Sequence, residues 1–247
     1  MTLLIDMGNT RIKWAGLSSN ELLVHPPITH NRQIKQLADR HFSRLEVPSK
    51  LVVASGLDAV LEQELVSWVT QHWSCPLEFL RTPKQALGVT NAYSEPRDLG
   101  IDRWLNLLAC HHLLEGAACI VDCGTAVTVD AIDENGHHLG GCILPGLAMM
   151  RESLNQAGQI DLSDYEASML SSVNASTKEG VVCGTLYAVS KAIDAILDDM
   201  SKLLQNSVTC VITGGDAEHV LPYLGSKPSY ERDWSLKGMQ ILVSSNQ

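Results

Sequence analysis

The sequence predicts a duplicated α/β fold of two domains, with mixed sheets flanked by helices. Residues 3–17 and 118–133 share one order of features: an apolar strand ending in Asp, a turn with Gly and small polar residues, and a returning strand. Helix and strand signals also alternate in each half of the chain. The length of 247 residues allows two compact domains, since domains commonly run about 100 to 200 residues.

Composition limits the classes of protein and partner. With 45% hydrophobic and 19% charged residues, the composition favours a globular chain over a disordered or fibrous one. The net charge is -10, with 18 basic against 28 acidic residues, so no nucleic-acid partner is expected. A small anionic ligand remains compatible with this charge, because backbone N–H groups, a helix N-terminus or bound Mg²⁺ can hold phosphates.

The cysteines and the apolar runs indicate a cytoplasmic protein with no membrane partner. The seven cysteines include no CxxC pair and mostly lie in apolar runs, which is typical of reduced core thiols. No basic and apolar signal sequence opens the chain. No stretch approaches the roughly 18 uninterrupted apolar residues of a membrane-spanning helix.

The first domain is predicted to span residues 1–116. After its hairpin, KLVVASG (50–56) is typical of a buried strand. VLEQELVSWVTQHW (60–73) predicts a helix, because its large apolar residues recur at helical spacing. A further helix is predicted to begin at about Asp102.

The second domain is predicted to span residues 117–247. Ser176 and Glu179 form a capping box ahead of a long amphipathic helix. VTCVITGGDA (208–217) predicts a strand that ends in a Gly-Gly turn, and MQILV (239–243) predicts a last strand. The shared order of features in the two halves favours duplication over coincidence.

The first hairpin has the residues of a phosphate site. A turn of small residues exposes backbone N–H groups that can wrap phosphate oxygens. Asp6 beside phosphates requires an intervening cation, while Thr10 offers a hydroxyl and Lys13 a positive charge. Alternatively, Asp6 and Asn9 only satisfy the turn, and this interpretation is stronger for one hairpin taken alone. Two facing hairpins with the ITGGDA turn would instead form a nucleotide cleft between the domains.

Five segments in this order carry a resemblance to a known family: DMGNTRIK, GIDR, DCGTAVTVD, GGCILPG and ITGGDA. Together they resemble the type III pantothenate kinases of bacteria, within the acetate and sugar kinase, Hsp70 and actin superfamily. The resemblance implies an actin-like ATPase (ribonuclease H-like) fold. It also implies ATP-dependent phosphorylation of pantothenate, the first step of coenzyme A biosynthesis, by a homodimer that uses Mg²⁺ and a monovalent cation, K⁺ or NH₄⁺.

The resemblance assigns roles to residues by motif. The residues matched to ATP contacts are Asp6, Met7, Gly8, Asn9, Thr10, Arg11, Ile12, Lys13 and Thr125. The residues matched to pantothenate contacts are Tyr93, Gly100, Ile101, Asp102, Arg103 and Thr177. Asp102 also matches the general base and Asp122 the monovalent-cation ligand. Ile101 departs from the small residue, such as Ala, that the G-x-D-R motif leads one to expect.

The GIDR segment allows a functional and an ordinary interpretation. Asp102 lies where the loop EPRDLG becomes a helix, so its carboxylate could orient a substrate hydroxyl and accept its proton. As an N-cap alone it would contribute about 1 kcal/mol. Arg103 could bind the pantothenate carboxylate through its planar fork, or lie on the surface, where the first turn of a helix disfavours a cation.

Some questions stay open at this level. Asp122, at the end of an apolar strand, needs a cation or backbone donors, and it could instead share Mg²⁺ with Asp6. Met149 and Met150 are interpreted as core or subunit-interface packing. Two other functions are compatible with these motifs: a nucleotide-binding regulatory protein without turnover, and a kinase of another small hydroxy acid. Residues 18–49 and 218–238 match no motif.

Overall fold

The computed structural model describes residues 1–158, 170–205 and 207–245. By packing, the chain divides into two compact units. Unit 1 comprises Met1–His112 with Asp233–Gln247, and unit 2 comprises Leu113–Arg232. The domain ranges 1–116 and 117–247 remain a prediction, and they differ from this packing in the C-terminal segment.

Unit 1 contains a five-stranded mixed sheet. Its strands are β1 (Thr2–Met7), β2 (Arg11–Ser18), β3 (Glu21–Thr29), β4 (Lys50–Ser55) and β5 (Leu77–Phe79). A separate small hairpin is formed by β6 (Gln85–Ala86) and β7 (Val89–Thr90). The strand order is β3-β2-β1-β4-β5, with antiparallel pairs at the hairpin side and parallel pairs from β1 to β5. The helices are α1 (Ile34–His41), α2 (Ala59–His72) and α3 (Ile101–Leu113). The predicted hairpin, strand 50–56 and helix 60–73 are confirmed.

Unit 2 repeats the plan. Its strands are β8 (Ala117–Cys123), β9 (Ala126–Ile132), β10 (His138–Pro145), β11 (Val208–Thr213) and β12 (Ser229–Tyr230). Its helices are α4 (Leu147–Gly158), α5 (Thr177–Leu204) and α6 (Ala217–Val220). The order β10-β9-β8-β11-β12 has the same sequence of antiparallel and parallel pairs as the first sheet. The predicted duplication of mixed α/β sheets is therefore confirmed.

The last element corrects a prediction. MQILV (239–243) was expected to form a strand, but it lies inside helix α7 (Trp234–Ser244). The reason is periodicity: the buried Leu236, Met239 and Val243 recur at spacings of three and four residues, which places them on one face of a helix, and α7 packs against β1 and β2. The segment MQILV alone is too short to show this period, which becomes apparent only together with the preceding segment DWSLKG.

Helix α5 is long and apolar enough to cross a membrane by length and composition alone. In the structure its apolar side is packed within unit 2, where Val182, Leu186, Val189 and Ile193 are buried against the sheet. This packing accounts for the hydropathy of the helix as that of a core element.

Candidate phosphate and substrate sites

The turn between β1 and β2 is closed by glycine. The Gly8 N–H donates to the Arg11 carbonyl at 3.1 Å, and a Cβ on Gly8 would also lie only 3.1 Å from that oxygen. Asn9 and Thr10 lie exposed at the tip. The turn therefore presents small residues and backbone to solvent, as a phosphate-binding hairpin requires.

Asp6 lies just before this turn and is only 8% exposed. It is paired across the sheet with Lys13 of β2. Its Oδ2 accepts a hydrogen bond of 2.6 Å from the hydroxyl of Ser235 on α7. Asp6 therefore does more than satisfy the turn, because a residue 229 positions later in the sequence holds its carboxylate.

Met7 and Ile12, which the resemblance matched to ATP contacts, have side chains in the core. They are 0% and 1% exposed and pair with each other across β1 and β2. Arg11, at the start of β2, is exposed. Any contact of Met7 or Ile12 with a nucleotide is thus through the backbone.

His30 fixes the same turn from the end of β3. Its backbone N–H donates to the Thr10 carbonyl at 3.1 Å, and its ring Nε2 lies 2.8 Å from the Gly8 carbonyl. The Arg32 N–H donates to Nδ1 at 3.1 Å, so Nδ1 is the acceptor and Nε2 carries the proton. Neither His30 nor Ser235 was found from the sequence, because both lie in the stretches without motifs.

Asp102 stands at the start of α3. The helix begins at Ile101, so Asp102 is its second residue, and the N-cap interpretation is wrong in position. A Cβ on Gly100 would lie 2.5 Å from Asp102 Oδ1, so a side chain at position 100 would displace that carboxylate. The Arg103 N–H donates to that oxygen at 2.8 Å, while the Asp102 side chain is exposed. The carboxylate is therefore both fixed and accessible.

Arg103 is 4% exposed, so the interpretation as a surface arginine is wrong. Its Nη1 donates to the Tyr93 hydroxyl at 3.0 Å, and its guanidinium carbon lies 5.6 Å from the centre of the Tyr93 ring. The structure thus brings together two residues that the resemblance matched to pantothenate. A buried guanidinium is suited to a carboxylate ligand, because burial strengthens an ion pair of good geometry.

The loop that carries Tyr93 is held by a buried amide. Asn91 is 0% exposed, and its Oδ1 accepts the Tyr93 N–H at 2.9 Å. Lys84 Nζ donates to the carbonyl oxygens of Asn91 and Tyr93 at 2.8 and 3.0 Å.

Ile101, the residue that departs from the G-x-D-R motif, is 7% exposed and fills the core. The Ile101 side chain therefore adds apolar packing to the GIDR segment, and the polar residues of the motif are all present.

Unit 2 contains the second hairpin turn. Thr125 lies exposed at its tip, and the Gly124 N–H donates to the Ala126 carbonyl at 3.0 Å. The Gly146 N–H, just before α4, donates to the Thr125 carbonyl at 3.0 Å. A Cβ on Gly146 would lie 2.4 Å from the Gly124 carbonyl oxygen, so the last glycine of GGCILPG allows this close approach.

Asp122 is half-buried at the end of β8. Its Oδ1 and the Cys123 carbonyl oxygen both lie 2.5 Å from the position of a Cβ on Gly214, whose φ is +99°. The pKa of the Cys123 thiol is raised, first by burial and then by the charges of Asp122 and Asp216. Gly214, which has no side chain, therefore packs directly against the end of β8, and the Asp216 N–H donates to the Cys123 carbonyl at 2.9 Å.

A multidentate metal centre does not account for this site. Across residues 1–158, 170–205 and 207–245, no group of three or more His, Cys, Asp or Glu side chains could hold a metal ion. A cation beside Asp122 would therefore need ligands from the backbone, from solvent or from a bound substrate.

Thr177 is the first residue of α5. The preceding Ser176 is the N-cap, and its hydroxyl accepts the Glu179 N–H at 3.3 Å, which confirms this half of the predicted capping box. Thr177 is exposed and lines a groove of about 800 Å³ between α4 and α5. The predicted pantothenate contacts are thus divided, with Thr177 in unit 2 and the others in unit 1.

Comparison with known proteins identifies the family. A family model described as type III pantothenate kinase matches residues 2–199. The type III pantothenate kinase of Nitrosococcus oceani is 37% identical, covering 97% of this chain and 92% of that protein. That of Halorhodospira halophila is 32% identical, covering 87% of each.

A solved structure extends the comparison to the fold. A protein from Campylobacter jejuni, described as a Baf family transcriptional activator, superposes with a TM-score of 0.62 at 21% identity, covering 99% of this chain and 98% of that one. At this identity the likeness concerns the fold alone, which is a duplicated α/β architecture of two mixed sheets flanked by helices. By the family match along most of its length, the chain belongs to the type III pantothenate kinase family.

Proposed function

We propose that this protein is an ATP-dependent kinase that phosphorylates pantothenate to 4'-phosphopantothenate, the first step of coenzyme A biosynthesis. Membership of the type III pantothenate kinase family supports this activity. The structural observation that carries it is the buried Arg103, bonded to Tyr93 and adjacent to the exposed Asp102. A carboxylate-binding cation next to an accessible base fits a substrate that has a carboxylate and a primary alcohol.

Asp102 is the general base in this proposal. It orients the pantothenate hydroxyl toward the γ-phosphorus of ATP and accepts the hydroxyl proton as the new O–P bond forms and the bond to ADP breaks. In phosphoryl transfer most of the catalysis is alignment and charge neutralisation, so the proton is taken late. The hydrogen bond from the Arg103 N–H holds the carboxylate in one orientation for this role.

Each hairpin is assigned its own phosphate-binding groups in this proposal. Backbone N–H groups of the first turn and the Thr10 hydroxyl bind phosphate oxygens, and Lys13 supplies a positive charge. Mg²⁺, when bound, neutralises charge on the phosphates, and we assign Asp6 to hold it. Asp122 is assigned to the monovalent cation, K⁺ or NH₄⁺, and Thr125 to ATP binding.

We further propose a homodimer that forms through the face of α4 and α5. Gly180 and Gly184 lie inside α5, and among residues 1–158, 170–205 and 207–245 a Cβ on either would meet nothing within 4 Å. A glycine inside a helix costs about 1 kcal/mol relative to alanine, and no contact among the described residues of unit 2 requires it. Met149 and Leu154 expose 46% and 44% of their surface beside the same groove. A second copy packed closely on α5 explains both features.

A cytoplasmic location completes the proposal. All seven cysteines lie in the described part of the chain, and none forms a disulfide. This is the usual state of cysteines in a reducing compartment.

The deciding experiment is ADP formation with ATP, Mg²⁺ and K⁺, with and without pantothenate. We expect turnover that depends on pantothenate, and a loss of kcat on the order of 10²- to 10⁴-fold in Asp102→Asn with ATP binding retained. Asp98→Asn, an exposed carboxylate just before the motif, is the matched control. Near-normal turnover in Asp102→Asn would contradict its role as base.

Two further arms separate the alternatives. ATP binding by the folded protein without turnover of any small hydroxy acid would favour the regulatory function, and turnover of a different acceptor would favour the other kinase. Replacing K⁺ by Na⁺ should depress the activity of the wild type. Indifference to the ion would contradict the cation site at Asp122.

A further inference from the structure

We infer that Ser235, on the C-terminal helix α7, is a positioning residue for Asp6 in the phosphate hairpin. The inference rests on the proposed function, because it gives Asp6 its role beside the metal-bound phosphates. Ser235 lies outside residues 2–199, to which the family model extends, and no motif in the sequence points to it.

The hydrogen bond is short and shielded from water. Ser235 Oγ and Asp6 Oδ2 are 2.6 Å apart, within the range of a hydroxyl bound to an ionised carboxylate. Ser235 is 1% exposed and Asp6 is 8% exposed. At this burial solvent does not readily replace the lost donor, so the hydroxyl determines how one carboxylate oxygen is directed.

The place of Ser235 is fixed by close packing of α7. A Cβ on Gly238, three residues later, would lie 2.0 Å from the backbone carbonyl oxygen of Leu105. The two helices α3 and α7 therefore meet backbone to backbone at this point. At the far end of α7, Gln240 Nε2 and Ser244 Oγ donate to the main-chain and side-chain oxygens of Asn20, at 2.7 and 2.6 Å.

The chemistry of the contact limits what Ser235 does. Its single hydroxyl proton is directed to Asp6, so the residue orients a carboxylate and takes no part in proton transfer. A rigid carboxylate binds the cation that neutralises the phosphates without first losing rotamer freedom. Removal of the hydroxyl should therefore weaken Mg·ATP binding and leave pantothenate binding largely unchanged.

The test compares Ser235→Ala and Ser235→Thr with the wild type. Ser190→Ala is the matched control, because Ser190 is also a fully buried helical serine, but its hydroxyl donates to the Tyr187 carbonyl in unit 2. The measurements are the Kd of Mg·ATP by titration calorimetry and the KM of each substrate. We expect Ser235→Ala to raise the Kd and the KM for Mg·ATP about tenfold, with the KM for pantothenate within about twofold.

Rescue by threonine separates positioning from packing. Ser235→Thr keeps the hydroxyl and should bind Mg·ATP close to the wild-type value. If thermal unfolding shows that the added methyl group disturbs the fold, the comparison of Ser235→Ala with Ser190→Ala alone decides between positioning and packing. Equal behaviour of those two variants, or equal losses for both substrates, would overturn the inference.

The outcome for Ser235 is distinguishable from that for the activity. A wild type that binds Mg·ATP but does not phosphorylate pantothenate refutes the proposed function, while the Kd values still decide the role of Ser235. A wild type that binds no Mg·ATP overturns the role of the hairpin and this inference with it.

Discussion

The imidazole Nε2 of His30 donates a 2.8 Å hydrogen bond to the backbone carbonyl of Gly8, in the turn of the first hairpin. The backbone N–H of His30 bonds to the other side of the turn, at the Thr10 carbonyl. One residue at the end of β3 thus holds both sides of the turn that is proposed to bind phosphate.

Replacing His30 tests this contact. His30→Ala should raise the KM for ATP about three- to tenfold, because the turn loses one of its hydrogen bonds. His30→Gln should largely retain affinity, since its amide nitrogen can reach the position of Nε2. His41→Ala, an exposed histidine at the end of α1, is the control. Equal KM values for the alanine variant and the wild type would show that the turn does not depend on the imidazole.

Arg103→Lys should raise the KM for pantothenate by about tenfold or more, with a smaller change for ATP. Lysine keeps the charge but loses the planar fork and the geometry of the bond to Tyr93. The exposed Arg97, in the short turn before α3, gives the control Arg97→Lys. Steady-state kinetics with each substrate varied in turn provide the measurement, and parallel losses for both substrates would contradict a contact with pantothenate.

Gly184→Ala should weaken the dimer and strengthen the helix. The added methyl group enters the face proposed to meet a second copy, while alanine raises helix stability by about 1 kcal/mol. Sedimentation equilibrium should show a dimer dissociation constant raised at least about tenfold. Ala195→Gly, at an exposed position of α5 outside the groove, should lower stability without changing the dimer. An unchanged dimer in Gly184→Ala would move the interface elsewhere.

Asp194 predicts a pH-dependent part of the stability. Burial acts to raise the pKa of its carboxyl, but the N–H groups of Gly225 and Ser226, both at 3.0 Å, and the Ser226 hydroxyl at 2.9 Å hold the pKa below its ordinary value. A lowered pKa means that the stabilisation is present at neutral pH. It is lost as the pH falls below about 4, through the pKa of the folded state.

The measurement is urea unfolding between pH 7 and pH 3. Asp194→Asn should be less stable than the wild type at pH 7, and the difference should shrink as the pH falls. Asp198→Asn, on the exposed side of α5, should show little difference at any pH. A wild-type advantage that stays constant with pH would exclude the carboxylate as its source.

The elements of the fold that the sequence predicts are those in which apolar residues recur at regular spacing over a short segment. The hairpins, the helix 60–73 and the long helix α5 each contain a pattern that needs no distant contact to be read. The C-terminal helix was missed because MQILV, taken by itself, has no period that separates a strand from a buried helix. The helix extends over Trp234–Ser244, and its length is apparent only when the pattern is followed from Trp234.

The candidate site divides in the same way. Asp6, Asp102 and Arg103 lie in short ordered motifs, so their positions were predicted from the sequence. His30 and Ser235 contact the first hairpin across 22 and 229 residues, and no spacing rule connects residues so far apart. The burial of Arg103 was not predicted from the sequence, because a position in the first turn of a helix does not indicate which other segments cover the side chain.

The return of α7 to unit 1 has a consequence for how the protein is made. Residues 113–232 are contiguous, so unit 2 can complete its core as soon as they leave the ribosome. Unit 1 begins first but must wait for residues 234–244, which supply both the Gly238 contact and the Ser235 hydroxyl. A nascent chain therefore carries all its nucleotide motifs before Ser235 can bind Asp6, and full affinity for Mg·ATP should appear only after residues 234–244 have been synthesised.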